Sequence, residues 1–151
     1  MFNVLFVCTG NTCRSPMAEY ILKRLAKECG GKGLGIKSCG TNVVGGSKLS
    51  DNAKKVLSEI GIKTHFKPKQ MDKSLASWAD IVICMTLQNK VAFSLEYDVA
   101  NKIVTFDELV GSNVEDPYGK GLEEYQKTAN SIYKNCVLLM RLFLKEGKVY
   151  V

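Results

Sequence analysis

A chain of 151 residues, 46% hydrophobic and 24% charged, has the length and composition of one globular domain with a substantial core, residues 1–151. No apolar run approaches the roughly 20 residues of a membrane-spanning helix, and Met1-Phe2-Asn3 leads straight into a short apolar stretch without a basic leader, so a cytoplasmic protein with no membrane partner is expected. The formal charge of +6 comes from lysines spread along the chain, loosely grouped at Lys63, Lys67, Lys69 and Lys73, with neither aromatic interleaving nor a recognition motif. It reads as a solvated basic surface that favours anionic substrates, with no nucleic-acid partner.

In chain order, four short runs predict strands: Val4 to Val7, Gly35 to Ser38, Ile81 to Met85 and Lys102 to Phe106. Between them lie helical patterns. From Ser15, residues Met17, Ala18, Ile21, Leu22 and Leu25 share a face that ends near Gly30-Gly31. Ser50 or Asp51 caps a second helix carrying Ala53, Val56, Leu57 and Ile60, stopped by Gly61. A third covers Leu87 to Leu95. The longest places Tyr125, Ala129, Ile132, Tyr133, Cys136, Met140, Phe143 and Leu144 at helical spacing. Strands alternating with helices predict an α/β fold, a parallel sheet with helices on both faces, whose ligand sits beyond the carboxyl ends of the strands. Cys8 follows the first strand and Asp116 follows the fourth, so both belong on that edge.

The six cysteines, at positions 8, 13, 29, 39, 84 and 136, form no Cys-x-x-Cys, and the chain has one histidine. Neither a disulfide scaffold nor a structural metal site is expected, and no cofactor is called for.

The segment Val7-Cys8-Thr9-Gly10-Asn11-Thr12-Cys13-Arg14-Ser15-Pro16 carries chemistry. It leaves a strand and enters a helix, with Ser15 suited to cap and Pro16 to the first turn. Gly10 and Asn11 tolerate left-handed backbone angles, so the loop curls its N–H groups inward and, with the helix N-terminus, cradles an anion such as phosphate or sulfate. Arg14 adds a guanidinium matched to two phosphate oxygens. Such positive surroundings stabilise a thiolate, and Cys8 at the bottom of the cradle becomes a nucleophile facing phosphorus. Ser15 is placed to donate a hydrogen bond to that sulfur. A Cys-x5-Arg spacing alone is weak and a core cysteine beside a tight turn would read the same way. The strand, the Gly-Asn turn and the Ser-Pro helix start make it strong. For the leaving group, Asp116 in Glu115-Asp116-Pro117-Tyr118-Gly119 is the candidate general acid, with Tyr118 as an aromatic wall for a bound side chain. An ordinary Asp-Pro turn is the alternative.

These motifs resemble the low-molecular-weight protein tyrosine phosphatase family over the whole chain. The resemblance implies a four-stranded parallel sheet, no metal, phosphorylated proteins as substrates and a phosphocysteine intermediate. Cys8 would attack, Arg14 would hold the phosphoryl oxygens and Asp116 would move the proton. Thr9, Gly10, Asn11, Thr12, Cys13, Ser15 and Tyr118 would bind substrate, and Ser38 would brace the loop with Asn11. Cys13 matches a second loop cysteine that in this family forms a protective disulfide with the nucleophile. A space-filling role is the alternative.

The loop Cys-Thr-Gly-Asn-Thr-Cys-Arg-Ser is most similar to a bacterial branch acting on phosphoarginine. Tyrosine-directed members usually carry Ile or Leu where Thr12 stands, and many place an aromatic clamp in the region of Thr41-Asn42-Val43-Val44-Gly45-Gly46, which here has none. A small polar Thr12 leaves room for a guanidinium. His65 is one position away from the family's usual histidine, held here by Phe66, and reads as a surface loop residue; Trp78 reads as core. A thioredoxin-coupled arsenate reductase would need two relay cysteines near the end of the third strand, and Cys84 has no partner within the next dozen residues. Phosphotransferase carriers lack the clamp that Arg14 supplies, and a phosphate-binding module without catalysis would not need nucleophile, clamp and acid together.

Overall fold

The computed structural model describes residues 1–111 and 114–151. Its strands are β1 (Phe2–Cys8), β2 (Leu34–Gly40), β3 (Ile81–Cys84) and β4 (Ile103–Thr105). The helices are α1 (Arg14–Glu28), α2 (Asp51–Glu59), α3 (Lys73–Trp78), α4 (Leu87–Glu96), α5 (Phe106–Val110) and α6 (Leu122–Lys145). The strands pair in parallel in the order β2-β1-β3-β4. This is the α/β sheet expected from the alternation of patterns.

β1 is central, and its Val4, Leu5, Phe6 and Val7 are fully buried because both faces of the sheet are covered. Val4 and Phe6 join Ile36, Ile83, Met17, Ile21, Ile132 and Phe143 in the larger core, under α1, α2, α5 and α6. Leu5 and Val7 face the other way, joining Cys39, Val82, Cys84, Leu75 and Phe93 under α3 and α4. The crossover from β1 thus leaves on one face and that from β3 on the other. Their loops part at the carboxyl end of β1, which opens the crevice.

Four sequence expectations need correcting. Two short helices, α3 and α5, were not anticipated: each is too short to show a period, and each is started by a capping side chain, Asp72 accepting from Leu75 N–H and Thr105 from Glu108 N–H. The fourth strand ends at Thr105, and Phe106 opens α5. Ile60 is the C-cap of α2 and is exposed, as are Tyr133 and Leu144 of α6, because the face of each helix that packs inward is narrower than its apolar pattern. Ser15 does not cap α1. Cys13 holds that position without a side-chain capping bond, and Ser15 lies inside the first turn. Of the two caps proposed for α2, Ser50 is the one used, accepting from Ala53 N–H. No described helix is long and apolar enough to cross a membrane.

Candidate active site

Between Cys8 and Arg14 the backbone must reverse within five residues, and the left-handed turn falls on Asn11, at φ 55°. Gly10, the other residue expected to supply it, is not among the positive-φ glycines. Asn11 is fully buried and held on three sides. Its Nδ2 donates to Ser15 Oγ (2.8 Å) and Ser38 Oγ (3.1 Å), and its Oδ1 accepts from the Lys69 backbone N–H (2.8 Å). Short polar side chains are the non-glycine residues that accept this conformation.

Behind Ser38 stands Glu19, buried on the inner face of α1. Its Oε1 accepts from Ser38 Oγ at 2.8 Å and its Oε2 pairs with Lys23 Nζ at 2.7 Å. Because a carboxylate only accepts and an amide nitrogen only donates, every proton in this network has a direction. Ser38 gives its proton to Glu19 and takes one from Asn11. Ser15 also takes one from Asn11 and has its own left for Cys8 Sγ, 2.8 Å away; the Cys39 carbonyl is farther, at 3.4 Å. The Asn11 backbone N–H lies 3.3 Å from the same sulfur. The Ser15 hydroxyl and the Asn11 N–H thus converge on one sulfur.

The segment after β2 holds the loop in place. Thr41 N–H donates to the Cys8 carbonyl, Asn42 N–H to Thr9 and Ser50 N–H to Thr12, each at 2.9 Å. This approach requires Gly40, since a Cβ there would meet the Thr9 carbonyl oxygen at 2.5 Å and Asn11 N at 3.0 Å. Gln70 in turn spans the loop after β2, accepting from Val43 N–H and donating to the Thr41 carbonyl, both at 2.8 Å.

Arg14 is buried, with its guanidinium 3.4 Å from Asp116 Oδ2 and 3.4 Å from the Val114 carbonyl. Asp116 is half exposed, and its Oδ1 accepts from Tyr118 N–H at 3.0 Å. Cys8, Arg14 and Asp116 line one cavity of about 520 Å³, together with Thr9, Gly10, Thr12, Cys13 and Tyr118. Three further residues, Asn42, Val44 and Ser47, complete its wall. Asn11, Ser15 and Ser38 do not line it. Asn11 and Ser15, expected as substrate contacts, stand behind the loop with their side chains bonded to one another. His65 is exposed and away from the cavity, with its N–H on Tyr20 Oη.

Among the remaining thiols, burial pushes Cys13 up from its ordinary value, with Thr12 Oγ1 at 3.7 Å and Tyr125 Oη at 3.9 Å. Burial pushes Cys84 to about 12, which suits a core residue of β3 rather than a redox relay. All six cysteines are free thiols in the structure.

Sequence reading missed Glu19, Gly40, Gln70 and Asn89, the last of which donates to Thr9 Oγ1. Glu19 left a usable signal: it follows Ser15 by four positions on the buried face of α1, where an acid needs partners. The others act from segments distant in sequence and leave no local signature.

A buried cysteine, a buried guanidinium and a half-exposed carboxylic acid lining one cavity are the side chains of a cysteine-dependent phosphatase. Residues 3–149 match the family model for low molecular weight phosphotyrosine protein phosphatase, and the chain belongs to that family. It is 34% identical over 150 residues to the protein-arginine-phosphatase of Bacillus subtilis (strain 168), covering 97% of each chain. A low molecular weight protein tyrosine phosphatase from T. tengcongensis has 40% identity and a TM-score of 0.88, over 93% of this chain and 99% of that one. The YwlE arginine phosphatase in a cysteine-to-serine mutant with a phosphorylated active-site serine has 30% identity and a TM-score of 0.90, over 95% and 97% of the two chains.

Proposed function

We propose that residues 1–151 form a single cytoplasmic domain that removes phosphate from protein side chains, with phosphoarginine as the preferred substrate. In the first step Cys8 Sγ attacks phosphorus in line, the bond from phosphorus to the leaving atom breaks, and Asp116 supplies the proton that the leaving atom needs. Arg14 and the loop amides hold the three equatorial oxygens as charge spreads over them. In the second step Asp116 takes a proton from a water, the water attacks the phosphocysteine, and Cys8 departs as a thiolate stabilised by Ser15. Inorganic phosphate is the product, and phosphate or sulfate is the simplest ligand of the loop.

The observation that carries this reading is that Cys8, Arg14 and Asp116 share one cavity. The preference for phosphoarginine rests on the wall of that cavity. Thr12 is small and polar, and Val44 gives the opposite side no aromatic plate. A guanidinium carries several N–H donors and a charge, and Thr12 and Asp116 offer oxygens to it. Relatives named for both arginine and tyrosine substrates fit a shared chemistry with a variable wall. Exposed Tyr118 on the rim is the feature that favours phosphotyrosine as the second reading.

Parallel kinetics on phosphoarginine and phosphotyrosine peptides decide between them, with Cys8→Ser as control. The parent is expected to prefer phosphoarginine, and Thr12→Ile to shift the ratio of the two toward phosphotyrosine by about tenfold. An unchanged ratio in Thr12→Ile would remove Thr12 from the specificity argument. An absence of Cys8-dependent turnover in reducing buffer would remove the phosphatase.

A further inference from the structure

α4 begins where the crevice opens, and its first turn reaches the Cys8 loop from the side opposite α1. Thr86 is its N-cap, accepting the Asn89 backbone N–H at 3.2 Å. The single Thr86 hydroxyl proton goes to Asn89 Oδ1, 2.9 Å away. In the structure the Asn89 oxygen faces Thr86, and Nδ2 points across the crevice to Thr9 Oγ1 at 3.0 Å. Asn89 is only 2% exposed, and a buried amide is costly unless its polar atoms are used.

Since Nδ2 only donates, Thr9 Oγ1 is the acceptor in this bond and retains its own proton. That proton finds no acceptor among the described residues. Thr9 is exposed and lines the cavity beside Cys8, and its carbonyl is pinned by Asn42 N–H at 2.9 Å. Backbone and side chain are therefore both fixed, with one hydroxyl proton unassigned at the wall of an anion site.

We propose that Thr9 donates this proton to an anionic oxygen of the bound phosphoryl group, and that Asn89 is the positioning residue that dictates the direction. The inference rests on the phosphatase reading of the cavity and adds two side chains to the backbone cradle and Arg14. A phosphoryl oxygen is the fitting acceptor, because it carries charge and has no proton of its own to compete.

The test is a double-mutant cycle on kcat/KM for p-nitrophenyl phosphate with Thr9→Val, Asn89→Ala and the double variant, each also melted thermally. Thr9→Val removes the hydroxyl at nearly constant shape, and each single change is expected to lower kcat/KM by about tenfold. The double variant is expected to be no worse than Thr9→Val alone, because Asn89 acts through that hydroxyl. Asn89→Asp sharpens the result. A carboxylate accepts, so it draws the Thr9 proton away from the cavity, and its loss should shrink in a Thr9→Val background.

The idea is overturned if Thr9→Val stays within about twofold of the parent. It is equally overturned if the two losses multiply, with Asn89→Ala lowering the melting temperature while Thr9→Val still exacts its full factor in that background. Calorimetric binding of inorganic phosphate to the same four proteins reads the coupling without turnover. A parent that binds phosphate but shows no Cys8-dependent hydrolysis would sink the phosphatase reading and leave the Thr9–Asn89 coupling to be judged on binding.

Discussion

The two walls around the Cys8 loop are built on opposite plans. The back wall, behind the loop and outside the cavity, is Asn11, Ser15, Ser38 and Glu19, buried side chains whose every proton is committed to a neighbour. The front wall is Val44 and Tyr118, 70% and 74% exposed, with Asp116 half exposed between solvent and Arg14. A closed, directed network holds a sulfur and a cradle in one geometry, which chemistry requires. An open rim of side chains on loops changes at little cost to the fold, which suits selection among substrates.

Substitutions across the two walls should rank accordingly. Cys8→Ser should abolish turnover, by about 10⁴-fold or more, while keeping phosphate affinity measurable by calorimetry. If turnover survived, the nucleophile would lie elsewhere and the back wall would lose its purpose. Asp116→Asn should lower kcat by about 10² to 10³ on substrates whose leaving atom must be protonated. The loss should be smaller for p-nitrophenyl phosphate, whose leaving group departs as an anion. Equal losses on both would assign Asp116 to holding Arg14 rather than to proton transfer.

Ser38→Ala distinguishes support from contact. It takes from the buried Glu19 carboxylate its neutral donor, so chemical denaturation should show a loss of about 1–3 kcal/mol. With Asn11 released on one side, kcat should fall about tenfold with KM little changed. A pure rise in KM would place Ser38 in substrate binding, contrary to its position behind the loop. Tyr118→Ala is the mildest: stability within about 0.5 kcal/mol of the parent, and a KM for phosphopeptides raised about threefold with kcat preserved. A marked drop in melting temperature would mean that the rim is structural after all.

The site was unevenly legible. The loop from Cys8 to Pro16 announces itself because its parts are consecutive, and an anion cradle made of backbone needs a short, recognisable turn. Asp116 could be placed at the right edge of the sheet but not beside Arg14, since 101 residues of chain intervene and only packing closes that gap. Ser15 shows a subtler failure. Its position before Pro16 matches a helix cap, yet a sulfur 2.8 Å away is a better use of its hydroxyl, and Cys13 is left to start the helix. Asn89, Gln70 and Gly40 gave no warning, because each acts by proximity to a segment that is remote in sequence.

By itself the sequence determined the parallel α/β plan, through strand runs buried on both faces and helices of clear period, and it determined the reacting loop, through contiguous residues of fitting chemistry. Only the tertiary structure decided which hydroxyls and amides give protons and which receive them. Such directions follow from the full set of neighbours around each group, and those neighbours, Glu19 behind Ser38 and Asn89 beside Thr9, are assembled by packing rather than by order along the chain.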